Sequence, residues 1–176
     1  MPPAPMSPPP AWLMEAFGRL PGPAQQRAQV LLMKLMKDQY LPALAAMPLA
    51  WLLVYVPHFM KLGIFLRQRG LELNNETPRT EDPDAYGSYA GLVKRCLGCH
   101  LNGFESFAPF AAAVLLCKVQ KAKPMRVAQL AYRYLLFRIL FTILYLAGKN
   151  KHIAGMRTLA WIGGAHTTAK LFQEAL

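Results

Sequence analysis

The sequence predicts an all-α fold, an integral membrane four-helix bundle preceded by an amphipathic helix and a proline-rich tail. Three observations predict it. Hydrophobic residues make up 54% of the 176 and only 16% are charged. Four segments approach the ~20 mostly apolar residues that a membrane-spanning helix needs. The basic residues gather at the ends of those segments, where headgroups and interfacial water accept them.

Taken in order, residues 1–10 hold six prolines, which exclude regular hydrogen bonding and favour extended, polyproline-like chain. Residues 24–40 read as an amphipathic helix. Ala24, Ala28, Leu31, Leu32 and Leu35 follow helical spacing, with Gln25, Gln29 and Lys37 among the polar positions. No charged n-region with a short apolar core precedes it, so no secretory signal is expected. Residues 1–42 thus form an extension, expected to touch a partner or the membrane surface, and 43–176 form the membrane domain. Its expected spans are 43–66, 88–117, 127–147 and 153–174. Pro48 and Pro57 interrupt the first, which a membrane bundle tolerates because neighbours can satisfy the freed carbonyls. Gly163-Gly164 in the fourth precedes no phosphate-binding unit and reads as close helix packing.

A net charge of +11 suggests nucleic acid in a soluble chain. Here the cations sit at helix ends, Arg67 and Arg69, Lys118 to Arg126, Lys149 to Arg157, and no aromatic-interleaved basic patch accompanies them. Nucleic acid is therefore excluded, and the lipid bilayer is the expected partner. The two ends of the bundle share basic residues about evenly, so the positive-inside rule does not orient it. The connector from Gln68 to Tyr86 is the one strongly acidic stretch, with Glu72, Glu76, Glu81, Asp82 and Asp84, and it reads as a long surface loop.

The chemistry concentrates in residues 95–109. At 100° per residue, Arg95, Gly98, Asn102, Glu105 and Pro109 fall within roughly 80° of one another, so one stripe of an otherwise apolar helix is polar. Charges on an intramembrane face are costly unless they pair or bind something, which makes the stripe a candidate site or a helix-to-helix glue. The third span carries a matching stripe of Tyr134, Arg138, Thr142 and Tyr145. Glu105 is the carboxylate nearest the middle of any span, so charge bookkeeping pairs it with Arg138.

These residues resemble the MAPEG family, the membrane-associated proteins of eicosanoid and glutathione metabolism, and the likeness runs over residues 43–176. The second helix of that family carries a pattern close to E-R-x-x-R-A-x-x-N-x-x-E, with a proline four residues on. Arg95, Asn102, Glu105 and Pro109 match it in register. Lys94 replaces the leading glutamate, Gly98 the second arginine and Cys99 the alanine. The resemblance implies a glutathione-dependent transferase or peroxidase acting on lipophilic electrophiles. It also implies a homotrimer with glutathione held between subunits.

By the same resemblance, Arg157 would activate the glutathione thiol and Thr158 would be the hydroxyl beside it. Arg67 and Arg69 occupy a place where the family holds glutathione, although snorkelling to headgroups accounts for them equally well. Arg95, Asn102, Glu105, Arg138 and Tyr145 complete the candidate binding set. A guanidinium near a thiol favours the nucleophilic thiolate, carboxylates suit paired arginines, and an amine suits Glu105. Gly98 leaves one clamp position empty, so weaker glutathione binding is expected.

A rival motif shares the stretch. Cys96-Leu97-Gly98-Cys99-His100 has the C-x-x-C-H spacing of covalent haem attachment, disfavoured here because its neighbours fit another pattern. His58, His152 and His166 show no metal-ligand spacing, so no metal is expected. The alternative to an enzyme is a non-catalytic accessory subunit, derived from the same fold, in a large heteromeric membrane complex such as a respiratory-chain assembly. The endoplasmic reticulum and the mitochondrial inner membrane fit equally.

Overall fold

Helix dominates the computed structural model, which describes residues 22–36, 38–70, 82–148 and 150–176 together with Ala11 and Glu15. No strand occurs among the described residues. The chain divides into two compact units, Met1–Leu41 and Pro42–Leu176.

In the first unit, α1 runs Gly22–Met36. Pro23 stands in its first turn, where a missing N–H costs nothing. Val30 and Leu31 are exposed on it. The proline-rich tail, and the side chains of Leu32 and Leu35, lie outside the described residues.

Four further helices follow: α2 (Leu41–Arg69), α3 (Ala90–Val119), α4 (Pro124–Ala147) and α5 (Lys151–Ala175). Two of them, over Leu41–Gln68 and Pro124–Ala147, are long and apolar enough to cross a membrane. Only 22% and 39% of those apolar stretches are buried, so most of their surface faces outward, unlike the core helix of a soluble protein. At ~1.5 Å per residue α3 and α5 have the length as well. Their interiors carry the polar groups described below.

The ends of the helices follow from local sequence. Asn150 caps α5, its Oδ1 accepting from the Ile153 N–H at 2.9 Å. α4 opens on Pro124, a residue pre-set for the first helical turn. α3 ends in a tight reversal in which the Ala122 N–H reaches the Cys117 carbonyl at 2.9 Å and Lys121 takes a left-handed φ of 56°. A 3-10 turn over Pro83–Tyr89 leads into α3, with Gly87 supplying a φ of 54°. Tyr86 of this turn is buried against Ile64, Phe65 and Val93, and its carbonyl accepts from Gln68 Nε2 at 3.2 Å. Part of the expected surface loop is thus folded onto the ends of α2 and α3; residues 71–81 lie outside the described residues.

From α3 to α5, consecutive helices run antiparallel. Arg95, near the start of α3, donates from Nε to the carbonyl of Leu146, near the end of α4, at 3.0 Å. Cys117, near the end of α3, donates its thiol to the Leu171 carbonyl of α5 at 3.1 Å. Phe110 and Tyr134 stack 3.9 Å apart between α3 and α4. Gly163 faces the Phe137 ring so closely that any Cβ there would collide with it. Of the glycine pair, Gly163 is the close-packing device that the sequence context predicts, whereas at Gly164 a Cβ would meet its nearest neighbour, Arg138 Cδ, at an ordinary 3.7 Å.

α2 meets α3 through a second close approach. Gly103 lies where a Cβ would stand 3.0 Å from Val54. Pro57 lacks an N–H and so takes the helical donor from the Leu53 carbonyl, one residue before Val54. His100 Nδ1 contacts the Val54 carbonyl at 2.8 Å. A carbonyl only accepts, so Nδ1 carries the proton.

Candidate functional site

Two adjoining clefts open between α3, α4 and α5. The larger, of about 360 Å³, runs past Asn102, Glu105, Ser106 and Pro109 of α3, Tyr134 and Arg138 of α4, and Trp161, Thr168 and Phe172 of α5. The smaller, of about 210 Å³, is lined by Asn102, Phe141, Tyr145, Arg157, Thr158 and Trp161. Asn102 and Trp161 belong to both, so the clefts meet at these two side chains. The polar stripes of α3 and α4 face each other here, as their spacing predicts.

Arg138 anchors the junction. It is 5% exposed, and its Nη1 donates to Asn102 Oδ1 at 3.0 Å. Its guanidinium also lies 4.3 Å from the centre of the Phe141 ring, a cation–π contact that gains weight away from water. Asn102 in turn donates from Nδ2 to Glu105 Oε2 at 3.5 Å, the long limit of a hydrogen bond. This corrects the charge bookkeeping, which pairs Glu105 with Arg138 directly. Asn102 stands between them because Glu105 sits almost one turn further along α3 and remains exposed. A neutral amide satisfies the guanidinium without the cost of desolvating a carboxylate.

Tyr145 and Arg157 build the other end. The Arg157 guanidinium lies 4.4 Å from the centre of the Tyr145 ring. Thr158 is exposed, and its Oγ1 donates back to the Ala154 carbonyl at 3.1 Å. The Tyr145 hydroxyl rests against Gly98, inside the space that any side chain there would need. The position left empty by the missing second arginine is therefore filled, from another helix, by a phenol.

The remaining sequence candidates fall elsewhere. Arg95 is spent on the Leu146 carbonyl and lines neither cleft. Arg67 is exposed on the last turns of α2, also away from both, and the Arg69 side chain lies outside the described residues. Cys96 and Cys99 are free and buried on one face of α3, and His100 spends Nδ1 on α2. No three His, Cys, Asp or Glu side chains among the described residues are placed to hold a metal.

Trp161, Thr168 and Phe172 line the larger cleft without having been singled out in the sequence. They follow Arg157 at +4, +11 and +15, one helical stripe that continuing from Arg157 along α5 reveals. The arrangement joins a cationic, hydroxyl-bearing end to a long apolar trough. That suits a polar reactant at one end and a lipophilic one at the other.

Neither a curated protein nor a solved structure matches the chain. A family model does, over residues 41–176, the same stretch that holds α2 to α5 and both clefts. The chain belongs to the MAPEG family.

Proposed function

We propose that this chain is a four-helix membrane enzyme that activates the thiol of glutathione and delivers it to a lipophilic electrophile, as a transferase or peroxidase. One observation carries the reading: Arg157, Thr158 and Tyr145 share a cleft with Asn102, and that cleft opens into an apolar one along Trp161 and Phe172.

In this reading the Arg157 guanidinium favours the thiolate over the thiol, whose unperturbed pKa is ~8.5. Glu105 takes the amine of glutathione, and Asn102 offers its amide to the peptide groups while holding Arg138 in place. The apolar trough takes the electrophile from the bilayer, which brings the two reactants together and excludes water. The outward faces of α2 and α4 and the exposed Glu105 support a site completed by neighbouring copies, in keeping with a homotrimer.

Two contacts favour a second reading, a non-catalytic accessory subunit of a larger membrane complex. Tyr145 occupies the second arginine's space, and Arg157 is already engaged with its ring. Ultraviolet difference absorbance of purified protein at millimolar glutathione separates the two. Thiolate formation that Arg157→Ala abolishes supports the enzyme; no thiolate in the wild type supports the accessory subunit.

A further inference from the structure

We infer that the turn between α3 and α4 is a binding site for an anionic phospholipid of the surrounding leaflet. The turn sits at the end of the bundle opposite Arg157, so it goes beyond the proposed chemistry and depends only on membrane residence. Over nine residues it carries Lys118, Lys121, Lys123 and Arg126. Arg126 is paired, its Nε 3.2 Å from Glu174 Oε1, which ties α4 to α5 and fixes the base of the turn.

Two large apolar side chains stand out of the same turn. Val119 is 74% and Met125 is 73% exposed, among the highest values for any large hydrophobic residue described. Water alone penalises both. A leaflet boundary accepts them in the acyl region while the lysines stay at the phosphates. Lys121 adds a further constraint. It holds the left-handed position of the helix-ending turn, which glycine fills at lowest cost, so a cation stands where the backbone disfavours a side chain. The turn thus sets two apolar wedges among cations, of which Lys121 and Lys123 are exposed. That pattern fits a phosphodiester headgroup with its own chains alongside, and not a free anion, which has no use for the wedges.

The test uses the full chain in nanodiscs of phosphatidylcholine with or without phosphatidylglycerol, with retained lipid read by native mass spectrometry. Wild type is expected to retain phosphatidylglycerol preferentially. Lys121→Gln with Lys123→Gln should lower that preference by roughly fivefold per lysine. Both side chains are exposed, so the fold persists, and circular dichroism checks it. Lys151→Gln, at the opposite end of the bundle, should lower the preference clearly less than either turn lysine does. Three results each overturn the inference: unaltered preference in the double variant, an equal loss in Lys151→Gln, or full competition by inorganic phosphate.

Discussion

The Tyr145 hydroxyl lies against the backbone of Gly98, so the smallest residue of α3's polar stripe is the seat of a side chain from α4. One of the three departures from the family pattern, Gly98 in place of the second arginine, thereby has a structural counterpart. Removing the second arginine makes room for the phenol, and the phenol in turn presents its ring to Arg157.

Gly98→Ala therefore acts on the site more than on the fold. The new methyl meets the far end of a tyrosine, which can swing away, and alanine gains up to about 1 kcal/mol of helix propensity over glycine. A melting temperature close to that of wild type is expected, with Arg157 released from its stacking. Replacing the pair, Gly98→Arg with Tyr145→Ala, restores a guanidinium to the stripe and vacates its space. Isothermal titration should then show tighter glutathione binding than wild type; equal or weaker binding would mean that the phenol is not what displaced the clamp.

Arg138 and Asn102 form an asymmetric pair. Asn102→Leu leaves a guanidinium that is 5% exposed without its amide, an expected loss of about 2–3 kcal/mol. Arg138→Met removes the buried cation itself and leaves Asn102 its contact with Glu105, so it should cost less. Chemical unfolding of both single variants and the double measures the coupling. A larger loss for Arg138→Met than for Asn102→Leu would contradict the pairing.

The two adjacent glycines of α5 should respond oppositely. A Cβ at Gly163 would stand 2.6 Å from two atoms of the Phe137 ring, whereas at Gly164 its nearest neighbour is Arg138 Cδ at 3.7 Å. Gly164→Ala is expected to be neutral or stabilising through helix propensity. Gly163→Ala forces α5 off α4 or turns the ring, and about 1–2 kcal/mol of destabilisation follows. Thermal melts of the two variants in the same detergent give the comparison directly.

The sequence makes the helices legible because hydrophobic runs and capping signals are local. The expected spans begin and end within three residues of α2 to α5, while the Pro124 start of α4 and the Asn150 cap of α5 lie just outside the hydrophobic runs that marked them. The facing of the α3 and α4 stripes was legible too, since 100° per residue places Asn102 and Arg138 each on its own polar face. Which partner Arg138 takes was not legible, because that depends on helix rotation and on side-chain reach across the interface. Formal charge points to Glu105, while geometry selects the amide one turn earlier. Trp161 and Phe172 escaped for a different reason. On a helix where most of the surface is apolar, an apolar stripe carries no contrast, and only the position of Arg157 marks the face that matters. Tyr145 over Gly98 is a contact between helices distant in sequence, and a glycine alone does not announce what fills it.

Trp161 should report occupancy of the clefts. It lines both of them and is 44% exposed, so a ligand entering either one changes the polarity around its indole. The chain has three tryptophans, and of these Trp51 stands on the outward face of α2 beside Tyr55, away from the clefts. An amphiphile with a thiol or carboxylate head should therefore shift the fluorescence of wild type and of Trp51→Phe by the same amount. In Trp161→Phe the shift should vanish while binding persists, because the replacement keeps an aromatic wall. Arg157→Ala should weaken binding of the charged amphiphile and leave an uncharged analogue of equal length unaffected, since the apolar trough along Ala165, Ala169 and Phe172 is untouched. A shift that survives in Trp161→Phe, or an Arg157→Ala variant that loses both ligands equally, would show that the two clefts do not act as one amphiphilic site.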